Sequence, residues 1–110
     1  MELELSFGLP ATDPDGHLVD LAAWSEAVAR ALAARDQLVL TEEHWAVVGL
    51  VRDFYARTGV VPAMRPLVKL VGEQLGSDRG NSLFLLRLFP GSPARAVAKL
   101  AGLPRPTNCI

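Results

Sequence analysis

Apolar residues recur along most of the chain at spacings of three and four, which is typical of helices with one buried face. Five such stripes predict helices over about 21–34, 42–57, 63–75, 81–88 and 93–100. The third begins between 63 and 66, and Pro66 favours the later start, because proline is tolerated only in the first turn. The fourth is apolar on several sides, so we expect it to be the most buried.

Residues with known roles at helix ends set the predicted boundaries. Asp20 and Thr41 are N-cap candidates for the first and second helices, since their side chains can accept hydrogen bonds from the first turn. Gly59 suits the end of the second helix. Ser92 followed by Pro93 opens the last helix.

The two ends of the chain predict different structures. Residues 2–5 alternate polar and apolar, 13–16 (Asp-Pro-Asp-Gly) signal a turn, and 17–19 can form the return strand of a β-hairpin. Pro104 and Pro106 favour extended backbone after the last helix. We therefore predict a flexible C-terminal arm over 103–110, with about 25 Å of reach and little burial.

These elements predict an α+β, mostly α fold: a globular domain over 1–102 with a helix–turn–helix-like core, an N-terminal β-hairpin and the arm. The chain has 110 residues, half of them hydrophobic, which suits one domain with its own core. We see no export signal and no apolar run of about 20 residues, so we expect a cytoplasmic protein without membrane contact.

Charge is divided unevenly along the chain. Residues 1–50 hold two basic and nine acidic residues, a net charge of −7, whereas 51–110 hold nine basic and three acidic residues, a net charge of +6. The basic half could face an acidic partner, an anionic group or nucleic acid. Equally, the two halves could simply attract each other within the fold.

Cys109 is the only cysteine, so it cannot close an internal disulfide. A thiol on a Pro-x-Pro stalk is suited to entering a partner's site as a nucleophile; the alternative is an incidental, exposed cysteine. We expect activation by a partner's pocket, since nothing nearby would strongly lower the thiol pKa from its usual value of about 8.5. A thiol pKa below about 6 in the isolated protein would contradict this.

The remaining candidate groups are histidines and exposed bases. His17 and His44 are the only histidines and lack metal-ligand spacing, so we predict no metal. His44 suits a surface or packing role, although a dyad with Cys109 stays open. The bases Arg65, Lys69 and Arg87 could dock a protein partner or hold an anion. A DNA-reading helix is the lesser alternative, since the third helix has few base-reading side chains.

The ordered motifs resemble the DsrC/TusE family over almost the whole chain. The segments that carry the resemblance are Asp15–Leu18, Trp24, Leu40–Trp45, Val51–Tyr55, Pro62–Arg65, Leu67–Lys69, Gly80–Ser82, Leu88–Pro90 and Lys99–Ile110. The last segment, with its next-to-last cysteine, is the most specific. One small departure is Gly91-Ser92-Pro93, where the family usually has another residue followed by Gly-Pro.

The resemblance implies a sulfur-transfer function. In DsrC a second cysteine stands eleven residues before the cysteine that corresponds to Cys109. Here that position is Ala98, so the implied chemistry is that of the single-cysteine, TusE-like members. Cys109 would take sulfane sulfur as a persulfide from a TusBCD-like donor complex. It would pass the sulfur to an MnmA-like tRNA 2-thiouridylase, without metal or organic cofactor. Arg105, Pro104 and Pro106 would shape the arm.

Three alternatives to this implied function remain at this stage. One is a DsrC-like, gamma-subunit-type partner of sulfite reductase or of sulfur-oxidation machinery, against which Ala98 argues. Another is a helix–turn–helix regulator with Cys109 as a redox sensor. The third is a single-cysteine paralogue with a regulatory sulfur role unrelated to tRNA.

Overall fold

The computed structural model describes residues 9–106, and five α-helices lie within them. They are α1 (Glu26–Arg35), α2 (Glu42–Thr58), α3 (Met64–Leu75), α4 (Ser82–Leu88) and α5 (Pro93–Leu100). A short 3-10 helix over Leu21–Ala23 precedes α1. The predicted small helical domain is thus confirmed for the described part of the chain.

The first predicted helix is divided in two because the segment contains two capping residues. The Asp20 carboxylate accepts a hydrogen bond from the Ala22 amide and starts the 3-10 helix. The backbone is extended at Trp24, and the Ser25 hydroxyl then accepts from the Val28 amide to start α1. Short hydroxyl side chains compete in this way with continuous helix.

Two further predictions need correction, one on where a helix begins and one on how deeply a helix is buried. α3 begins at Met64, earlier than the preferred start, and Pro66 still lies in its first turn, where an amide would lack a helical partner. α4 is not the most buried helix, since Leu83 is 72% exposed and Leu86 is 40% exposed. A seven-residue helix on the surface of the domain buries only one face.

α5 is the central element of the domain. It packs against each of the other four helices, and Val97, Ala98 and Leu100 are almost completely buried in these contacts. α2 and α3, the predicted helix–turn–helix pair, also pack against each other. The domain therefore surrounds the helix that leads directly into residues 101–106.

The predicted N-terminal β-hairpin is wrong for the residues that the structure describes. Between residues 9 and 106 no strand forms, and the flanks of the predicted turn meet only in one antiparallel bridge between Thr12 and Leu18. Asp20 directs the chain into the 3-10 helix directly afterwards, so too few residues remain for a second strand. The predicted first strand, residues 2–5, lies outside the described part.

Opposite charges from the two halves of the chain meet in the fold. Apart from pairs within one helix, the ion pairs among residues 9–106 join Asp15 to Arg105, Asp36 to Lys99 and Glu43 to Arg79. Each pair has its acid in the first fifty residues and its base in the remainder. This pattern supports internal attraction as one use of the uneven charge.

Candidate functional site

Three side chains from different parts of the chain hold the backbone where α5 ends. The Trp24 indole donates to the Leu100 carbonyl at 2.8 Å, and the Arg52 guanidinium donates to the Ala101 carbonyl at 2.6 Å. The His17 ring Nδ1 lies 2.9 Å from the Leu103 carbonyl, and it must carry the hydrogen because a carbonyl only accepts. We call Trp24, Arg52 and His17 the collar.

Two members of the collar, Trp24 and Arg52, bind carbonyl groups that the end of α5 leaves unpaired. The last carbonyls of a helix have no partner within it, and a cation near them is favourable because the helix dipole is negative there. The Arg52 guanidinium lies 3.8 Å above the centre of the Trp24 ring. Partial burial lowers the pKa of Arg52 below its ordinary value, yet an arginine remains protonated in proteins.

Gly102 lies against the collar and cannot carry a side chain there. Its φ is +74°, in the left-handed region, and a Cβ atom would lie 2.4 Å from Cδ1 of Trp24. The next amide, that of Leu103, donates to the Ala98 carbonyl at 2.9 Å. This glycine lets the chain reverse tightly over the indole ring.

A turn over residues 13–17 positions His17. The Asp13 carboxylate accepts hydrogen bonds from the Asp15 amide at 2.9 Å and the His17 amide at 3.0 Å. The bond from His17 is the main reason that the pKa of Asp13 is lowered from its usual 3.8. Gly16, with φ of +92°, completes the turn.

The same turn holds the start of the predicted arm. Asp15 pairs with Arg105 at 2.6 Å, two residues from the contact between His17 and Leu103. Leu103 is only 3% exposed and Pro106 is buried, whereas Pro104 and Arg105 are exposed. The expectation of little burial in this segment is therefore wrong at Leu103 and Pro106.

Cys109 lies outside the described residues, and the division of the chain at residue 102 stays a prediction. What the structure adds is the position from which the thiol-bearing segment starts. Pro106 lies on the domain, and only three residues lead from it to Cys109. Three residues span at most about 11 Å, less than half the predicted reach of the whole arm.

The predicted docking bases are exposed side chains on α3 and α4. Arg65 and Lys69 are exposed on α3, and Arg87 is exposed on α4, 6.0 Å from the Phe84 ring. Within residues 9–106 none of the three is paired with a carboxylate. They remain available for docking, but no contact of the described chain joins them to the arm.

His44 has a structural role, in agreement with the packing role that the sequence favoured. It is buried, its Nδ1 accepts from the Thr41 amide at 3.0 Å, and its Nε2 lies 2.7 Å from the Leu88 carbonyl. The ring also packs edge-on against Phe89, with 5.1 Å between centroids. Since both nitrogens are occupied, the alternative of a dyad with Cys109 loses its support.

A groove of about 340 Å³ lies between the 13–17 turn and α5. Its lining includes Asp15 and His17, which both contact the start of the arm, and Arg95 and Lys99 from α5. No cluster of three potential metal ligands occurs in the part of the chain that the structure describes. Nor is any helix there long and apolar enough to cross a bilayer.

Sequence reasoning did not assign the collar residues a function. Trp24, Arg52 and His17 all stand in motifs that carry the family resemblance, and this was their only signal. Their partners are 49 to 86 residues away along the chain. Such contacts do not follow from helical periodicity.

The described architecture is that of DsrC proteins. It matches the NMR structure of Allochromatium vinosum DsrC with a TM-score of 0.84 and 44% identity, over 91% of this chain and 89% of that one. The crystal structure of the oxidized gamma-subunit of the dissimilatory sulfite reductase (DsrC) from Archaeoglobus fulgidus matches with a TM-score of 0.80 and 39% identity, over 92% of each chain.

The sequence comparisons agree with the fold. A family model described as DsrC like protein matches residues 9–110, and the chain belongs to this family. The protein named sulfurtransferase TusE from Pectobacterium atrosepticum is 49% identical over 100 residues, which cover 91% of this chain and 92% of that protein. The predictions of DsrC/TusE membership and of a sulfurtransferase in a sulfur relay are confirmed.

Proposed function

We propose that Cys109 is the residue of this sulfurtransferase that carries the sulfur. It holds sulfane sulfur as a persulfide after transfer from the donor and before transfer to the acceptor. The observation that carries the proposal is the position of the only cysteine, three residues beyond the point where Pro106 lies on the domain. Because this sulfurtransferase has a single thiol, Cys109 is its one candidate for a sulfur-accepting thiol nucleophile. No second side chain is required to store the sulfur.

The proposed chemistry is thiol–persulfide exchange. The Cys109 thiolate forms a bond to the outer sulfur of the donor persulfide while the donor's sulfur–sulfur bond breaks, and the donor leaves as a thiolate. The acceptor thiolate later attacks the outer sulfur on Cys109 in the same way and releases the Cys109 thiolate. Each exchange balances without an oxidant, a metal or an organic cofactor.

Ala98 supports carriage by one thiol. It is fully buried in α5, at the position where the resemblance places the second cysteine of DsrC. An intramolecular disulfide cannot form from Cys109 alone. The sulfur on Cys109 therefore stays available to an external acceptor.

By the same resemblance we propose a TusBCD-like donor complex and an MnmA-like tRNA thiouridylase as partners, in the cytoplasm. Free thiols persist in that reducing compartment. Because the backbone from Pro106 to Cys109 spans at most about 11 Å, each partner must place its reacting cysteine close to the end of the domain where Pro106 lies. Arg65, Lys69 and Arg87 could add electrostatic attraction at a distance.

A relay experiment tests the proposed acceptor. The chain is loaded with sulfur from isotope-labelled cysteine by a cysteine desulfurase and the TusBCD-like donor. It is then purified and mixed with an MnmA-like thiouridylase and tRNA. We expect labelled 2-thiouridine with the unaltered chain and none with Cys109→Ser. Equal labelling with both would contradict the proposal.

One alternative has support from a specific observation. The Archaeoglobus fulgidus gamma-subunit of sulfite reductase shares the fold at 39% identity. A partner role of that kind would need a stable complex with a sulfite reductase. Native mass spectrometry distinguishes the two functions: such a complex that survives Cys109→Ser, together with no labelled tRNA, would favour the alternative.

A further inference from the structure

We propose that His17 is a positioning residue for sulfur transfer: through the Leu103 carbonyl it fixes the direction in which the Cys109-bearing segment leaves the domain. The inference rests on the proposed carrier function of Cys109 and adds a residue to it. We assign His17 no direct part in the exchange of sulfur. It acts through the backbone of the arm.

His17 is itself held firmly enough to act as a fixed point. It is 2% exposed, and its amide donates to the Asp13 carboxylate while its carbonyl accepts from the Asp13 amide at 2.8 Å. The ring then donates across the fold to Leu103. A short series of hydrogen bonds thus connects the turn to the arm.

Two contacts between the turn and the arm fix the direction of the arm, whereas the arm could rotate about a single contact. His17 meets Leu103 and Asp15 meets Arg105, so the turn and the arm run antiparallel with matching two-residue steps. The first contact is buried and the second is about half-exposed on both sides. We call this pair of contacts the latch.

The latch keeps the tether of the thiol short. With Leu103 and Arg105 held, the segment from Pro106 to Cys109 has three residues; with both released, the segment from Gly102 to Cys109 has seven. The effective concentration of a tethered group falls roughly as the −3/2 power of tether length, so this change lowers it about four-fold. Because the Leu103 amide also bonds the Ala98 carbonyl and Pro106 is buried, this is the largest loss that we expect in the rate of transfer to a docked protein.

The chain offers matched variants for a test. His17→Leu removes the donor to Leu103, and His17→Asn can return an amide nitrogen near the position of Nδ1. His44→Leu is the control, because His44 is the other buried histidine and its ring bonds the Leu88 carbonyl instead. Both leucine variants lose a buried histidine, but only His17→Leu removes a contact of the latch.

The first readout does not depend on sulfur. Cys109 is the only cysteine, so a nitroxide attached to thiols labels this residue alone, and its spectrum reports local motion. We expect a narrower line shape, meaning faster motion, in His17→Leu than in the unaltered chain, His17→Asn and His44→Leu. The same line shape in all four would overturn the proposal.

The second readout separates positioning from chemistry and from stability. Transfer to a protein acceptor should fall in His17→Leu, by at most the roughly four-fold loss expected when both contacts open, and should recover in His17→Asn. Reaction of Cys109 with a small disulfide reagent should stay unchanged. Equal losses in both reactions would mean that His17 acts on the thiol itself. Equal losses of protein transfer in His17→Leu and His44→Leu would mean that only stability matters. Either result would overturn the proposal.

A second pair of variants, in which only surface ion pairs are changed, keeps the proposal testable if His17→Leu does not fold. Asp15→Asn opens the pair with Arg105, and Asp53→Asn opens a similarly exposed pair with Arg57 elsewhere. Only Asp15→Asn should speed the motion of the label, and equal motion in both would overturn the latch. Failure of the carrier proposal looks different: the unaltered chain would take up no sulfur on Cys109, while the label would still report on the latch.

Discussion

Replacing Gly102 by alanine should destabilise the domain more than the same change at Gly59. The two glycines have nearly equal backbone angles, with φ of +74° and +72°, and both follow closely on the end of a helix. They differ in their surroundings. A Cβ at Gly102 would lie 2.4 Å from Trp24, whereas nothing lies within 4 Å of a Cβ at Gly59.

The magnitude follows from two separate terms. A left-handed backbone costs a residue with a Cβ about 1–2 kcal/mol, and both variants lose this amount. Forcing an atom into a filled space costs about 1–3 kcal/mol more, and this applies only to Gly102→Ala. The effect of alanine on the unfolded chain is common to both variants and cancels.

The measurement is thermal and denaturant unfolding followed by circular dichroism. We expect Gly102→Ala to lose about 2 kcal/mol more than Gly59→Ala, or roughly 10 °C more in Tm for a domain of this size. The slope of the denaturant dependence should be unchanged. Equal losses would refute the close approach of Gly102 to the indole and, with it, our account of the collar.

Three further predictions concern the turn, the arm and the collar. Because the pKa of Asp13 is lowered, its contribution to the free energy of unfolding is present above the ordinary pKa of 3.8 and is lost as the pH falls through the lowered value. In thermal melts from about pH 2 to 6, Asp13→Asn should therefore lose less stability towards acid than the unaltered chain. Truncation after Gly102 removes the buried Leu103, which truncation after Pro106 keeps, and the shorter chain should be less stable than the longer one by about 2 kcal/mol or more; equal Tm values for the two truncated chains would contradict a packed start of the arm. Arg52→Met removes a charged hydrogen bond and a ring contact, and should cost about 2 kcal/mol in denaturant unfolding; an unchanged midpoint would contradict this role.

Much of the helical fold was predictable because its signals are local. Thr41 and Gly59 bound α2 where the sequence predicted them, since caps depend on neighbouring residues. Predictions failed where local signals compete. Ser25 provided a second cap within one apolar stripe, and Asp20 directed the chain into a helix before a second strand could form.

The sequence predicts which residue carries the thiol, but it does not predict the contacts that position the thiol-bearing segment. The single Cys109 and its proline-containing stalk can be recognised in the sequence. The hold on the stalk cannot, because it depends on Trp24, Arg52 and His17, which come from distant parts of the chain and meet the last helix only in the folded domain. Burial of Leu103 has the same origin.

The central claim is that Cys109 carries the sulfur, and the mass of the loaded chain tests it most directly. The protein is incubated with a cysteine desulfurase, cysteine and the TusBCD-like donor, and the intact chain and its C-terminal peptide are weighed by mass spectrometry without reductant. We predict the addition of one sulfur atom, located on Cys109, lost on treatment with a thiol reductant and absent in Cys109→Ser. An unchanged mass with every persulfide donor, or an adduct that persists in Cys109→Ser, would contradict the account.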